Sequence, residues 1–549
     1  MSLNSRRRFL KQSGLAVTGL TLGAPEALAS ALVKNLFSSS RAEAADLVSP
    51  RYYLNIYAEG GPPRHVFDHW LRTNTEDPNL IFNPSTGTAF TYDNNRLVTG
   101  TEYRTITHNG VLVPQMYAHL SAADRAAFLD SFLVIRGYGS GIDGHGFNAA
   151  LQMHPLAAAP SLSGHVADHT ARYFEALQYR SRFSSSRFVS SKNVSLNFLT
   201  GEDPLSDLLK PLLASTDKAR ALRTGYQDVF TNVRGYLNSL SSERKSVTIA
   251  KKSLSNAYDL FKSNIADFSS IWPALLSEYQ TVVETAIRAT GLAGFNATLD
   301  GSQSIAAISN GEASKYKMNG TSSFIIGTGK NLLDTGSSMT MTRLISGLAL
   351  ADYCISNDLT GALEIVSGNS SEDLLMDPTG GAVSTNMYSM PNDMHNTTQY
   401  GTVFVTTLYF RGLMAGLLHL RSKLISAGKW NQTIVQLVSD FGRPYTTNGS
   451  GHGYDQMISS VFSGVITGGP YVVGNVAVSA KGHVGSDGYA APIEGYNQKG
   501  KPDPKMMAST VSELMGVSDN PWKNFAQPLV KLNSNGTLYL PFGKGKLIE

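Results

Sequence analysis

The stretch Ile434-Val435-Gln436-Leu437-Val438-Ser439 is followed at once by Asp440-Phe441-Gly442-Arg443. A short, mostly apolar run that ends at polar residues and a glycine is typical of a strand buried inside a sheet. A carboxylate directly after such a strand lies at the strand's carboxyl end, where open α/β proteins build their binding sites. The stretch therefore predicts a buried strand with a functional loop behind it.

The same pattern recurs along the chain, and helical periodicity separates its occurrences. Apolar runs predict four more buried strands, at 52–58, 132–136, 362–366 and 460–467. Apolar residues at helical spacing predict helices at 162–179, 344–357, 403–427 and 505–515. This alternation predicts an α/β fold, a three-layer sandwich with a mostly parallel sheet.

Two long segments interrupt the alternation. Residues 202–292 have apolar side chains at helical spacing and no strand pattern, which predicts a helical insertion. Residues 295–341 are rich in Ser, Thr, Asn and Gly, which predicts a long loop. We expect both segments to belong to one domain that covers residues 45–549.

The N-terminus has the pattern of an export signal. Ser5-Arg6-Arg7-Arg8-Phe9-Leu10-Lys11 matches the twin-arginine motif, and a weakly apolar run follows at 14–23. Small-residue cleavage patterns occur at Ala27-Leu28-Ala29 and Ala42-Glu43-Ala44, and the sequence leaves open which one is used. We therefore predict a signal peptide at residues 1–44, the twin-arginine translocase as a partner, and a periplasmic or cell-surface location.

Charge and composition exclude some partners. Residues 1–44 hold six of the 46 basic and two of the 42 acidic side chains, so residues 45–549 carry no net formal charge. A neutral chain offers no electrostatic reason to bind nucleic acid. Beyond the signal no apolar run approaches the roughly 18 residues of a membrane span. The single cysteine, Cys354, lies in an apolar segment and is expected to be buried.

Polar residues that can bind metal follow several of the predicted strands. Carboxyl ends of parallel strands meet at one edge of a sheet, so we expect these side chains to converge. Mixed Asp and His donors suit zinc, whereas oxygen-rich sets suit manganese or calcium, and each residue taken alone is equally well a helix cap or a packing residue. The predicted metal ligands are Asp393, His395, Asp440 and His452, with His145 and Glu59 as further candidates.

An ordered series of motifs resembles a known bacterial family. In chain order they are Gly60-Gly61-Pro62 with Phe67-Asp68, Ile135-Arg136-Gly137 with His145, Met153-His154, Pro160-Ser161-Leu162-Ser163-Gly164, Asp393-Met394-His395, Ser439-Asp440-Phe441-Gly442-Arg443 and Gly451-His452-Gly453. Their order is similar to that in the family called domain of unknown function 1501, and the resemblance spans about residues 52–517. The family pattern has a serine where this chain has Pro63, and aspartates where it has Gly144 and Gly451.

That family in turn resembles the alkaline phosphatase and sulfatase superfamily. The resemblance implies an alkaline phosphatase-like fold and a divalent metal that helps to cleave a phosphate or sulfate ester. Type I sulfatases build formylglycine from C-x-P-S-R or its serine counterpart, and Cys354 is followed by Ile-Ser-Asn-Asp instead. The alternative is a non-catalytic periplasmic or surface protein that keeps the fold. The departures at Pro63, Gly144 and Gly451 favour this alternative, whereas the carboxylates that remain favour the enzyme.

Two further residues receive catalytic roles on this hypothesis. Arg443 is predicted to clamp the oxyanion with its planar guanidinium, or else to cap the turn that follows it. Ser161 is a candidate nucleophile. His165-Val166-Ala167-Asp168-His169 resembles the inverted zincin motif, but aspartate replaces its glutamate, so we interpret this segment as a solvent-exposed helix.

Overall fold

The computed structural model describes the chain in ranges that exclude the N-terminus and several internal segments. The described residues are 51–64, 66–69, 71–73, 92–93, 96–97, 105–114, 116–117, 120–170, 172, 174–180, 187–194, 196–201, 204, 268–289, 338–367, 374–377, 388–390, 393, 399–443, 452–476, 490–492, 502–517, 519–533 and 537–541. The predicted signal peptide at 1–44 and the predicted ligand His395 lie outside these residues.

An eight-stranded sheet forms the centre of the fold. Its strands are β1 (Tyr52–Ala58), β2 (Phe132–Tyr138), β3 (Phe174–Tyr179), β4 (Leu196–Leu199), β5 (Thr360–Ser367), β6 (Thr433–Ser439), β7 (Met457–Ser463) and β8 (Tyr471–Val473). Their spatial order is β8-β2-β7-β6-β1-β5-β3-β4. Only β7 runs antiparallel to its neighbours in this sheet. The predicted α/β architecture with a mostly parallel sheet is therefore confirmed, and the alkaline phosphatase-like assignment stays a prediction.

Helices pack on both faces of the sheet. They are α1 (Ala122–Leu129), α2 (His145–Met153), α3 (Leu162–Asp168), α4 (Phe268–Ala289), α5 (Thr342–Ser356), α6 (Gln399–Ser426) and α7 (Pro504–Met515). Residues of α4, α5 and α6 belong to one hydrophobic core, and residues of α3 and α7 belong to another. None of the described helices is both long and apolar enough to cross a membrane.

The side chains of β1 show how the two cores are separated. Tyr52, Leu54 and Ile56 pack into the first core, whereas Tyr53 packs into the second. Successive side chains of a strand point to opposite faces, so a strand buried on both sides needs a nearly continuous apolar run. This is why the run at 52–58 predicts its strand with both bounds correct.

Smaller elements surround this centre. Two three-stranded sheets consist of Arg72–Thr73, Thr105–His108 and Val111–Pro114, and of Ser338–Thr340, Leu374–Asp377 and Tyr388–Met390. Two-residue strands pair as Tyr92–Asp93 with Arg96–Leu97, Asn475–Val476 with Ala490–Ala491, and Lys531–Leu532 with Leu538–Tyr539. Within the predicted helical insertion the structure describes α4, which packs against α5 and α6.

The predicted helix at 162–179 is wrong over its second half. Helix α3 ends at Asp168, and Phe174–Tyr179 is strand β3, which pairs with β5 and β4. The segment Glu175-Ala176-Leu177-Gln178 consists of residues that favour a helix on intrinsic propensity. Its place between two strands overrides that local preference, because the sheet satisfies its backbone hydrogen bonds.

The interpretation of 165–169 as a solvent-exposed helix is also wrong. His165 has only 2% of its surface exposed. Its ring lies 5.3 Å from that of Trp522 and 4.8 Å from that of His169, measured between centroids. Burial is the largest cause that lowers the pKa of His165, to about 3, and the neighbouring His169 lowers it further. His165 is therefore a neutral packing residue in the second core.

This burial predicts acid sensitivity. The unfolded chain binds a proton at His165 below its ordinary pKa of about 6.5, whereas the folded chain does so only near 3. The contribution of His165 to the free energy of unfolding is therefore fully present above about pH 6.5 and is lost as the pH falls towards 3. Between pH 7 and pH 4, the free energy of unfolding should fall by about 3 kcal/mol less in the His165→Gln variant than in the wild type. Urea denaturation at both pH values measures this, and equal losses in the two proteins would contradict it.

Candidate functional site at the carboxyl edge of the sheet

Four loops meet at one edge of the sheet because of the strand directions. Strands β1, β2 and β6 are parallel to one another, and Glu59, His145 and Asp440 follow their carboxyl ends. Strand β7 is antiparallel, so the segment before it, with His452, lies at the same edge. The strand order thus gathers residues that are up to 393 positions apart in the sequence.

Asp440 is the buried centre of this edge. It has no exposed surface. Its Oδ2 accepts hydrogen bonds from the backbone N–H of Gly60 at 2.9 Å and lies 2.6 Å from Nδ1 of His145, while the Tyr57 hydroxyl donates to Oδ1. Burial raises the pKa of Asp440 to about 7, and the Gly60 N–H and the Arg443 charge oppose that rise. The carboxylate is thus fully bonded and fixed in position.

His145 lies between two carboxylates. Its Nδ1 contacts Asp440, and its Nε2 lies 3.6 Å from Oδ2 of Asp393. About 20% of the His145 side chain and 28% of the Asp393 side chain are exposed, so this second pair faces solvent. A buried carboxylate on one ring nitrogen orients the ring, so the other nitrogen is held beside Asp393.

Arg443 holds Asp393 and the Gly60-Gly61 turn together. Its Nη2 donates to Oδ1 of Asp393 at 2.9 Å and to the Gly60 carbonyl at 2.6 Å, and its Nε donates to the Gly61 carbonyl at 2.8 Å. Burial lowers the pKa of Arg443, and the charges of Asp393 and Asp440 oppose this. These contacts join Arg443 to the turn after β1 and not to the turn that follows Arg443 itself, which lies outside the described residues. The predicted cap of that following turn and the oxyanion clamp both stay predictions.

His452 joins the site through an aromatic stack. Its ring lies parallel to the Phe441 ring at 4.1 Å, and its centroid is 4.9 Å from that of His145. Its Nδ1 lies 2.6 Å from Oδ1 of Asp143. Sequence reasoning missed Asp143, although it lies two positions before His145 in the same loop. Asp143 thus places a carboxylate beside His452 from the loop that precedes α2.

Close backbone packing places His452 there. Gly442 and Gly453 form an isolated bridge, with N–O distances of 3.1 and 2.7 Å between their backbones. A Cβ on Gly442 would lie 1.9 Å from the carbonyl oxygen of Gln456. Glycine is therefore required where the loop after β6 meets the loop before β7. This close contact explains why the sequence motif has a glycine at position 442.

The backbone conformation at position 144 also favours a glycine. Gly144 precedes α2 with a φ of 130°, a conformation that L side chains rarely adopt. An aspartate in this backbone conformation would be strained. Glycine at position 144 therefore suits the local path of the chain.

The remaining predicted residues have different surroundings. Ser161 has no exposed surface and is the N-cap of α3, where its hydroxyl accepts hydrogen bonds from the N–H groups of Gly164 and Val189 at 3.1 Å each. Its role as a nucleophile rests on the sequence alone. Glu59 is buried at the end of β1, and its backbone N–H donates to the Ser367 carbonyl at 2.7 Å.

The donor set can be compared with the needs of a metal ion. Two ligands of one zinc ion, each about 2.0–2.2 Å from it, lie roughly 3.3–3.6 Å apart in tetrahedral or wider geometry. The separation of 3.6 Å between His145 Nε2 and Asp393 Oδ2 fits this range, and Asp440 on the other ring nitrogen matches the usual outer partner of a metal-binding histidine. Among the described residues no group of three or more His, Cys, Asp or Glu is arranged to hold a metal.

Comparisons with known proteins add little to this geometry. No family model and no curated protein matches the chain. Two solved structures align with about a third of it, the crystal structure of Ps i-CgsB and its complex with k-i-k-neocarrahexaose. Each has 11% sequence identity and a TM-score of 0.19, and the alignment covers 34% of this chain and 36% of the other. At this level of similarity neither the fold nor the activity of those proteins can be transferred to this chain.

Proposed function

We propose that this chain is an exported, metal-dependent hydrolase of small phosphate or sulfate esters, related to the domain of unknown function 1501 family. The observation that carries the proposal is the arrangement of His145, held by Asp440 at Nδ1 and directed at Asp393 with Nε2. The site lies at the edge of a mostly parallel sheet where such folds build their active sites.

The proposal gives a definite part to four residues of the site, Asp440, His145, Arg443 and Asp393. Asp440 accepts a hydrogen bond from the Nδ1–H of His145 and so holds the ring with Nε2 directed at Asp393. Arg443 keeps Asp393 in place and offsets its charge. His145 and Asp393 are the described donors for a zinc, manganese or calcium ion, with His395 as the predicted third. Held by these residues, such an ion would supply Lewis-acid chemistry and offset negative charge on the transferring group.

The rival function is a non-catalytic periplasmic or surface protein that keeps the fold. One observation favours it: within the described part of the chain no group of three or more His, Cys, Asp or Glu is arranged to hold a metal, and Asp440 already has three hydrogen-bond partners. The rival predicts that the edge of the sheet is a binding surface and turns over no ester.

Metal content and activity of the protein purified from its own periplasm distinguish the two functions. The hydrolase should contain about one or two equivalents of divalent metal and cleave p-nitrophenyl phosphate or p-nitrophenyl sulfate. A chelator should remove the activity and lower Tm, because binding to the native state adds to its stability. Protein without stoichiometric metal, with a Tm that ignores chelator and added zinc, manganese or calcium, would support the non-catalytic function instead.

Export can be tested separately from activity. We expect the double substitution Arg6→Lys and Arg7→Lys to leave the precursor in the cytoplasm, although the positive charge is unchanged. The expected cause is recognition of paired guanidinium groups, which lysine cannot imitate. Fractionation followed by immunoblotting measures the periplasmic yield. A normal yield from this variant would exclude the twin-arginine route.

A further inference from the structure

A row of polar side chains crosses the middle of the sheet on one face. Gln178 of β3 is in register with Glu364 of β5, which is in register with Asn55 of β1, which in turn is in register with Gln436 of β6. All four are buried, with at most 4% of their surface exposed. The central strands of a mostly parallel sheet are normally apolar on both faces, so this row needs a physical reason.

The members of the row differ in how their hydrogen bonds are satisfied. Gln436 is fully used, since its Oε1 accepts from the Tyr53 hydroxyl at 2.7 Å and its Nε2 donates to Ser459 at 3.1 Å. By contrast, Oδ1 of Asn55 and Oε1 of Gln178 have no hydrogen-bond partner among the described residues. These two amides flank Glu364 on either side. Leaving a buried oxygen unsatisfied costs about 1–3 kcal/mol.

Among the described residues, Glu364 has no counter-charge. Its carboxylate accepts a hydrogen bond from the Ser163 hydroxyl of α3, the helix that packs over β5, β3 and β1. No Lys, Arg or His in the described part of the chain forms an ion pair with it. Burial raises the pKa of Glu364 to about 7, against the effect of the Ser163 hydrogen bond. An ionised carboxylate in this environment is unfavourable unless a positive charge accompanies it.

We propose that Glu364, Asn55, Gln178 and Ser163 bind a monovalent cation, sodium or potassium, between the sheet and α3. The donors are one carboxylate, two amide oxygens and one hydroxyl, which are hard oxygen ligands of the kind that prefer hard cations. One carboxylate supplies one negative charge, so a single positive charge leaves the buried site neutral. The cation would also satisfy both amide oxygens.

The described titratable groups near Glu364 do not supply a positive charge in place of the cation. Tyr53 lies on the same face, and burial together with the Glu364 charge raises its pKa well above the ordinary value. On the covering helix, His165 packs against Trp522, and Asp168 accepts hydrogen bonds from Ser190, Ser191 and Lys192. The competing arrangement has no cation. In it, both amides are turned so that their NH₂ groups donate to Glu364, an exchange of O and N that X-ray data seldom resolve.

The wild-type protein provides the first test. At about pH 8 Glu364 is ionised, and sodium or potassium chloride should raise Tm by roughly 3 °C over choline chloride at equal ionic strength, in a saturable way. At about pH 5 a proton occupies the carboxylate of the folded protein and the difference should disappear. Identical Tm values in sodium, potassium and choline chloride at pH 8 would overturn the proposal in favour of turned amides. A response to calcium alone would overturn the monovalent assignment.

A matched pair of variants provides the second test. Glu364→Gln keeps the shape and removes the charge, so it should abolish the response to sodium and potassium. Asp352→Asn is the control, since Asp352 is also a buried carboxylate but is bonded by Ser356 and Tyr279. It should keep the full response, and an equal loss in both variants would contradict the assignment to Glu364. If Glu364→Gln does not fold, calorimetric titration of the wild type with sodium and choline chloride decides.

Discussion

Replacing Asp68 by alanine is expected to lower the free energy of unfolding by about 3–5 kcal/mol. Asp68 is fully buried and forms a two-point ion pair with Arg64, whose Nε donates to Oδ1 of Asp68 at 2.9 Å. Arg64 also donates to the Leu437 carbonyl at 3.2 Å and the Ile458 carbonyl at 3.3 Å. The substitution leaves a buried guanidinium without its counter-charge. This guanidinium contacts β6 and β7, the strands next to the site.

Urea denaturation of two variants measures this effect. The surface pair Lys523 and Glu513, at 3.3 Å, is the matched control, and Lys523→Ala should cost less than about 1 kcal/mol because solvent screens the pair. Similar losses in Asp68→Ala and Lys523→Ala would show that the buried pair contributes no more than an exposed one. The Phe67-Asp68 motif would then need a reason other than anchoring the loop after β1.

Replacing His145 by alanine is expected to reduce kcat for the proposed ester hydrolysis by about 10³-fold, with a small change in KM. The reason is that His145 is the side chain through which the buried Asp440 acts on the open side of the site. Asp440→Asn, which keeps the shape but not the charge, should lower kcat by about 10–100-fold. Steady-state kinetics on an aryl phosphate or sulfate measures both effects.

A second histidine–aspartate pair provides the control for these variants. His108 lies 3.0 Å from Asp130 at the end of a short hairpin strand. His108→Ala should leave kcat and KM unchanged, because that pair joins the hairpin to the end of α1, before β2 begins, and does not lie at the carboxyl edge of the sheet. If His145→Ala retained full activity and metal content, the site would lie elsewhere on the chain, even if the protein were a hydrolase.

The loop before α2 has a local structural reason for its residues at 143 and 144. Gly144 adopts a φ of 130°, a conformation that L side chains rarely adopt. Asp143, one position earlier, contacts His452. The carboxylate of this loop therefore lies beside His452, whereas a glycine directly precedes His145.

Much of the fold was determined by the sequence alone. Five strands and three helices follow from apolar periodicity, because burial on both faces of a parallel sheet requires continuous apolar runs and burial of one helix face requires a stripe. The positions of Glu59, His145 and Asp440 at strand ends follow from the same reasoning. Local pattern decides these features since each depends on residues that are close in sequence.

The tertiary structure decided the rest. It turned the helix-favouring segment of β3 into a strand, buried His165 against Trp522, and placed Asp143 beside His452. It also aligned Gln178, Glu364 and Asn55 in one row. Each of these depends on strand order and register, which are set by contacts between segments far apart in the chain. Periodicity within a single segment carries no information about which distant segment will become its neighbour.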